Sequence, residues 1–421
     1  MENVVYTKSG IPVYTYSNSS SHGFYMSLFV RSGSMFESER DAGITHFLEH
    51  IAIRNINYNM GGELYSTLDK YGLEFNASTY SEMVQFYLSG ARESFSVAAD
   101  IFSRLLLPIN LPRSEIDLER GRIRAEIREA DERGSLVGFT ADTVYRGTSL
   151  ARPITGTPGS VGAITRTRLE GYRRDTFTRD NLFVYITGAV GKEEVDELCR
   201  HLDRYQLSCG EKHENIAPVP QKFGKRGAEV AIKNADFTKV RFTFDLDMTL
   251  VTNEELDLLY DILLGGYSSG LFIELSERRG LFYDLTGQTD RYLNIGTFSF
   301  SFELRESKLF EALTHIIEEL RAIKNTQLSP DKLMKAGYVN NAYMLLDDNS
   351  ALNFTFAYDN HILSLGDRDI AERRARYDRV TPERIRRAAR AVFTPDNLTL
   401  TLKGNKKRID TGRIRGILLQ L

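Results

Sequence analysis

Alternating apolar and polar residues mark half-buried strands, whereas apolar residues recurring every three or four positions mark amphipathic helices. "LEFNASTY" (73–80) alternates in the first way. "GFYMSLFVRSG" (23–33) and "KVRFTFDLDM" (239–248) are denser in apolar and aromatic residues and read as more deeply buried strands. "SFSVAADIFSRLLL" (94–107) and "KLFEALTHIIEELRAI" (308–323) carry the helical spacing. Helices follow helices more often than they alternate strictly with strands. The chain is therefore expected to be α+β, each domain an antiparallel or mixed sheet with helices packed mainly on one face.

The pattern echoes itself. "FTRDNLFVYITG" (177–188) reads against "FTPDNLTLTLKG" (393–404), an offset of 216 residues. Each is a turn carrying Asp-Asn, then alternating strand residues, then a closing glycine. "GGELYSTLDKYGLEF" (61–75) reads against "GGYSSGLFIELSERRGLFY" (265–283), an offset of 204 to 208. Both run from a double glycine through an amphipathic helix to Gly-Leu and an aromatic. Two echoes with nearly equal offsets predict a duplicated unit of about 200 residues. Between the halves, "LSCGEKHENIAPVPQKFGKRG" (207–227) is rich in glycine, proline and charge and has no period. The expected organisation is an N-terminal domain over 1–206, a linker over 207–227 and a homologous C-terminal domain over 228–421.

Composition agrees with more than one core, since 421 residues at 42% hydrophobic content exceed what a single core of roughly 250 residues uses. Charges nearly cancel at a net −3, which gives no whole-chain attraction for nucleic acid or an anionic membrane. The opening "MENVVYTKSGIPVYTY" lacks the basic start, apolar run and small-residue cleavage site of a secretory signal. No stretch of about 18 apolar residues follows that could span a bilayer. A cytoplasmic protein is expected. Cys199 and Cys209 stand ten residues apart without CxxC spacing, so they read as unpaired thiols.

The chemistry concentrates in "AGITHFLEHIAIRN" (42–55). The chain has seven histidines, and two of them, His46 and His50, stand four apart around Glu49. On a helix those imidazoles share a face about 6 Å apart and can converge on one ion, with Glu49 able to reach a water beside it. A catalytic zinc takes three protein ligands, so a third is required. The best segment for it is "SEIDLERGRIRAEIREADER" (114–133), helical on its Ile116, Ile123 and Ile127 spine. Glu119 and Glu126 lie seven apart there and share a face.

His46-Phe47-Leu48-Glu49-His50, followed by Glu119-Arg120 and by Glu126 eighty residues after the first histidine, resembles the inverted zinc motif of the pitrilysin and mitochondrial processing peptidase family. "VRSGSMFESERDAGITHFLEH" resembles that family's approach to its zinc helix, and "GLEFNASTYSEMVQFYLSG" its substrate-binding edge strand. The duplicated halves extend the resemblance to the whole chain. It implies one zinc per chain held by His46, His50 and Glu126, with Glu49 as general base. Glu119 is expected to orient a ligand or tune the charge of the site. An extended peptide would add to the edge strand around Asn76 and Ala77, with Tyr87 beside it.

One departure stands in the second half. Active members of the family carry an arginine and a tyrosine seven residues apart after the double glycine, where they hold and polarise the substrate carbonyl. Tyr283 fits the tyrosine, but Ser276 stands at the arginine position, and Arg278 and Arg279 are out of helical phase with it. Members of this length dimerise, the zinc domain of one subunit facing the second domain of the other. The resemblance thus implies the zinc-bearing subunit of a heterodimer whose paralogous partner supplies the Arg/Tyr pair, with a homodimer as the other arrangement. The expected function is a zinc endopeptidase acting on unfolded peptides or leader segments inside a dimeric chamber. The alternatives are a noncatalytic structural subunit and a peptide-binding module of the same family.

Overall fold

The computed structural model describes the chain except residues 131–135, 224–227, 233–236, 267, 283, 327 and 346–347. Its described residues fall into two compact units. The first comprises Met1–Asp131, Arg152–Asn215 and Tyr343–Ile370, and the second Glu132–Ala151, Ile216–Ala342 and Ala371–Leu421. None of the described helices is long and apolar enough to cross a membrane.

The first unit is built on a mixed sheet of six strands: β1 (Asn3–Tyr6), β2 (Pro12–Ser17), β3 (Gly23–Val30), β4 (Glu74–Thr79), β5 (Val84–Ala91) and β6 (Leu182–Gly188), in the order β1-β2-β6-β3-β5-β4. Only β2 and β6 run parallel. Helices cover one face, where Met26, Leu28, Val30, Phe47, Ile51, Phe86, Ile116 and Ile123 form a single apolar cluster. Each such side chain contributes about 1.5–3 kcal/mol by leaving water. The opposite face holds a smaller cluster of Phe29, Phe183, Tyr185 and Phe356, roofed by the helix Asn349–Ala357. β3 is thus buried on both sides, which explains the dense apolar run in its sequence. The polar Ser27 is tolerated there because its hydroxyl donates to the Asn353 side chain at 2.7 Å.

The second unit has five strands: β7 (Ala228–Ile232), β8 (Phe237–Asp247), β9 (Leu285–Arg291), β10 (Ile295–Arg305) and β11 (Leu398–Lys403), in the order β7-β11-β8-β10-β9. Here β7 and β11 are the parallel pair. This order repeats the β2-β6-β3-β5-β4 order of the first unit strand for strand, as a duplication requires. The first echo places β6 and β11 at the same sheet position. The second leads into β4 and β9, which are both edge strands. Compactness and sequence halves divide differently, since the helix Leu136–Val144 counts with the second unit and the helix Asn349–Ala357 with the first.

Candidate metal centre

The segment of the two histidines forms the helix Ile44–Asn59. Ile44, Phe47, Leu48, Ile51 and Ile56 are its buried apolar residues. Its start is unusual. Gly43 at the cap has φ +89, and a Cβ there would stand 2.6 Å from the Thr155 carbonyl oxygen, so glycine is required on both counts. Glycine has no side chain to cap the helix, and the Glu37 carboxylate does so from outside, accepting from the N–H groups of Gly43 (2.8 Å) and Thr45 (2.9 Å). The Thr45 hydroxyl also contacts the Tyr172 hydroxyl at 2.8 Å. His46 therefore leaves a first turn fixed at several points.

The third candidate comes from the helix Arg113–Ala130, which packs through Ile116 and Ile123. It brings Glu126 to both histidines: Oε1 lies 3.6 Å from His46 Nε2 and Oε2 lies 3.6 Å from His50 Nε2. The two imidazole centroids are 4.7 Å apart. Among the described residues these three form the one His/Cys/Asp/Glu group suited to a metal ion. Neither Glu126 contact is short enough to be a hydrogen bond. Two donors on a tetrahedral zinc, each about 2.1 Å from it, stand about 3.4 Å apart, so the observed spacing fits an ion better than it fits direct pairing.

The surroundings set the charges. Burial, with the neighbouring His50, pushes His46 down to about 3, leaving a neutral imidazole with a free lone pair. Its buried Nδ1 has no hydrogen-bond partner. For His50 burial acts downward too, but the hydrogen bond to Glu119 and the charges of Glu49, Glu119 and Glu126 outweigh it and raise the pKa. His50 Nδ1 lies 3.3 Å from Glu119 Oε2. Glu119 is only 3% exposed. Burial alone would raise its carboxyl, yet His50, Arg54 and Arg122 hold it below the usual range. Burial raises Glu49, opposed by the Thr79 hydroxyl, which donates to Glu49 Oε2 at 2.5 Å. A carboxylate raised in this way is suited to taking and returning a proton.

Thr79 ends β4, the edge of the sheet. Asn76 and Ala77 lie on that edge, where the Ala77 N–H donates to the Asn76 side chain at 2.9 Å. Tyr87 is one strand further in, opposite Asn76 on β5, and stacks on Tyr25 at 5.3 Å. Ser276 lies in a π-turn over Phe272–Glu277. Arg278 and Arg279 are both engaged by Glu274, at 2.8 Å from Arg278 Nη1 and 3.0 Å from Arg279 Nε. Tyr283 lies outside the described residues.

The sequence reading missed Thr79, Arg54 and Glu37. Thr79 was within the quoted edge strand, but nothing in a sequence says which hydroxyl meets Glu49. Arg54 had a signal, since His46, His50 and Arg54 continue one four-residue spacing.

The family model for insulinase, peptidase family M16, matches residues 13–158, and that for the peptidase M16 inactive domain matches residues 163–336. An uncharacterized zinc protease of Streptomyces coelicolor is 26% identical over 378 residues, covering 87% of this chain and 82% of the relative. Among solved structures, a protease from Helicobacter pylori superposes with a TM-score of 0.84 at 19% identity, covering 96% of this chain and 99% of the other. The periplasmic protease PqqL from Escherichia coli gives 0.77 at 16% identity, covering 99% of this chain but 49% of its own. The chain thus has the fold of about half of that longer protease.

Proposed function

Because the chain belongs to the M16 zinc peptidase family, we propose that it is a zinc-dependent endopeptidase acting on unfolded peptides or on leader and propeptide segments. The observation that carries this reading is the meeting of His46, His50 and Glu126 beside a half-buried Glu49 that an edge-strand hydroxyl holds in place. His46 and His50 would hold one zinc per chain through their Nε2 atoms and Glu126 through its carboxylate. Zinc, when bound, supplies Lewis acidity toward water and the scissile carbonyl.

The chain's own groups do the rest. An extended peptide pairs with the open side of β4 around Asn76 and Ala77, which gives affinity through the backbone with little demand on sequence. Glu49 takes a proton from the attacking water and returns it to the amide nitrogen as the C–N bond breaks, leaving a carboxylate and an amine. Thr79 keeps the Glu49 carboxylate aimed during both transfers. Glu119 orients His50 through Nδ1.

Ser276 supports a further part of the proposal. With Arg278 and Arg279 both committed to Glu274, neither is free to take the arginine role in holding a substrate carbonyl. The chain then acts as the catalytic subunit of a dimer that encloses its substrate, and a paralogous partner supplies the arginine and tyrosine. Two variants test the core of this reading. Glu126→Ala should lose bound zinc together with activity. Glu49→Gln should keep its zinc while peptide turnover falls by at least about 10²-fold, the usual scale of a lost general base. Normal cleavage by Glu49→Gln protein would refute the mechanism.

A further inference from the structure

Arg54 follows His50 by four residues as His50 follows His46, so the three side chains are stacked along one face of their helix. The facing helix presents Glu115, Glu119, Arg122 and Glu126 at matching intervals. The contacts between the two rows are ordered. Arg54 spans two carboxylates, its Nε donating to Glu115 Oε2 at 2.6 Å and its Nη1 to Glu119 Oε1 at 2.6 Å. Arg122 Nη1 donates to the same Glu119 Oε1 at 2.8 Å. Both guanidinium groups thus occupy one oxygen of Glu119, and the other, Oε2, is left for His50 Nδ1 at 3.3 Å.

We propose that Arg54 is a positioning residue for the metal, acting through Glu119 and His50. The bond from Glu119 to His50 is the longest of the set and could not by itself hold a carboxylate at one angle. The fork of Arg54, braced on Glu115, fixes that angle. With Nδ1–H directed at Glu119 Oε2, the His50 ring turns its Nε2 lone pair toward Glu126, whose Oε2 lies 3.6 Å away. The polar partners of Arg54 are Glu115 and Glu119, neither of them a candidate ligand.

This inference rests on the metal site proposed above, and the sign of the effect separates it from two simpler roles. If Arg54 only cements the two helices, its loss lowers stability and leaves the zinc affinity of the folded protein unchanged. If it acts only as a nearby positive charge, its loss removes a repulsion and tightens zinc. If it orients His50, its loss weakens zinc by about 10–100-fold, the scale for partners that hold a metal ligand from behind.

The experiment is zinc binding by competition with a chelating dye. It uses the full chain and its Arg54→Gln, Arg54→Lys and Glu126→Ala variants, with thermal melts of the metal-free proteins alongside. Arg54→Gln should weaken zinc by about 10–100-fold. Arg54→Lys keeps the charge but not the fork and should recover only part of the loss. It also carries the test if the glutamine variant does not fold. Unchanged or tighter zinc in a folded Arg54 variant, while Glu126→Ala loses zinc, overturns the inference alone. Unchanged zinc in Glu126→Ala overturns the metal site itself, and the inference with it.

Discussion

Replacing Glu37 by glutamine removes the ionisable group from the start of the helix Ile44–Asn59, the HxxEH helix that carries His46, Glu49 and His50, while keeping its size. Burial pushes the Glu37 carboxyl from 4.5 up to about 7, against the pull of the Thr45 and Gly43 N–H groups, the Thr45 hydroxyl and Arg152. At about 1.4 kcal/mol per unit, that rise disfavours the ionised folded state by about 3 kcal/mol. Between pH 4.5 and 7 the folded protein binds more protons at this position than the unfolded chain. Stability from Glu37 is therefore full below about 4.5 and is lost as the pH rises through about 7. Glutamine cannot titrate, so the variant lacks this slope. It suffers instead a loss that does not vary with pH, because its amide nitrogen cannot accept from a backbone N–H where a carboxyl oxygen stood. Urea unfolding of metal-free protein at pH 4, 6 and 8 should show the advantage of the wild type over Glu37→Gln shrinking by about 3 kcal/mol across that range. A difference that is flat, or that grows with pH, refutes the reasoning. It would mean that the two backbone N–H bonds outweigh burial and keep Glu37 ionised throughout.

Thr79→Val removes the donor that holds Glu49, a bond to a charged group worth about 1.5–3 kcal/mol, so kcat should fall by about tenfold or more with zinc content unchanged. Equal kcat in the variant would show that Glu49 needs no such support. Adding a paralogous subunit that carries the Arg/Tyr pair should raise peptide turnover of the isolated chain by about 10²–10³, the scale of one lost oxyanion donor, and Ser276→Arg should recover part of it. An isolated chain already as fast as the mixture would refute the heterodimer proposal. Chelation should abolish activity and leave the far-ultraviolet circular dichroism of the chain unchanged, because the apolar cluster under the HxxEH helix is complete without an ion; loss of helix on chelation would refute this.

Features that depend on period were legible in the sequence. The HxxEH helix announces itself because four residues complete about one turn, and the duplication does so because turn chemistry at Asp180-Asn181 and Asp396-Asn397 repeats before β6 and β11. Features that depend on which elements meet were not. The helix Asn349–Ala357 is ordinary in sequence, yet Asn353 is fully buried, bonding the Tyr25 and Tyr185 carbonyls at 3.1 and 2.9 Å from a point more than 160 residues away. Long-range pairing of this kind leaves no local periodicity. Glu119 and Glu126 were found because the resemblance supplied their partners, since on helical spacing alone they read as a solvated face. Glu37 escaped notice for the complementary reason, a lone glutamate in a turn that caps a helix seven residues later.

The duplicated strand order raises the question of what the metal residues replaced, or what replaced them. In the second unit the helix Asn253–Leu263 lies between β8 and β9, as the HxxEH helix lies between β3 and β4. It carries no histidine, and three of its four carboxylates are paired with arginines instead. Glu255 is fully buried and accepts from Arg384 Nε at 2.8 Å and Arg387 Nη2 at 2.9 Å. Glu254 pairs with Arg376, and Asp257 with Arg291 and the Tyr377 hydroxyl. A buried charged carboxylate is stabilised by a paired cation. In the second unit arginines supply that cation for Glu254, Glu255 and Asp257. In the first unit Arg54 and Arg122 satisfy Glu115 and Glu119 but leave Glu126 and the two imidazoles facing one another without a bond between them. The two imidazoles and the half-exposed Glu126 carboxylate are what the proposed zinc centre would use, and the corresponding helix of the second unit, on a sheet with the same order of its five shared strands, has no such group.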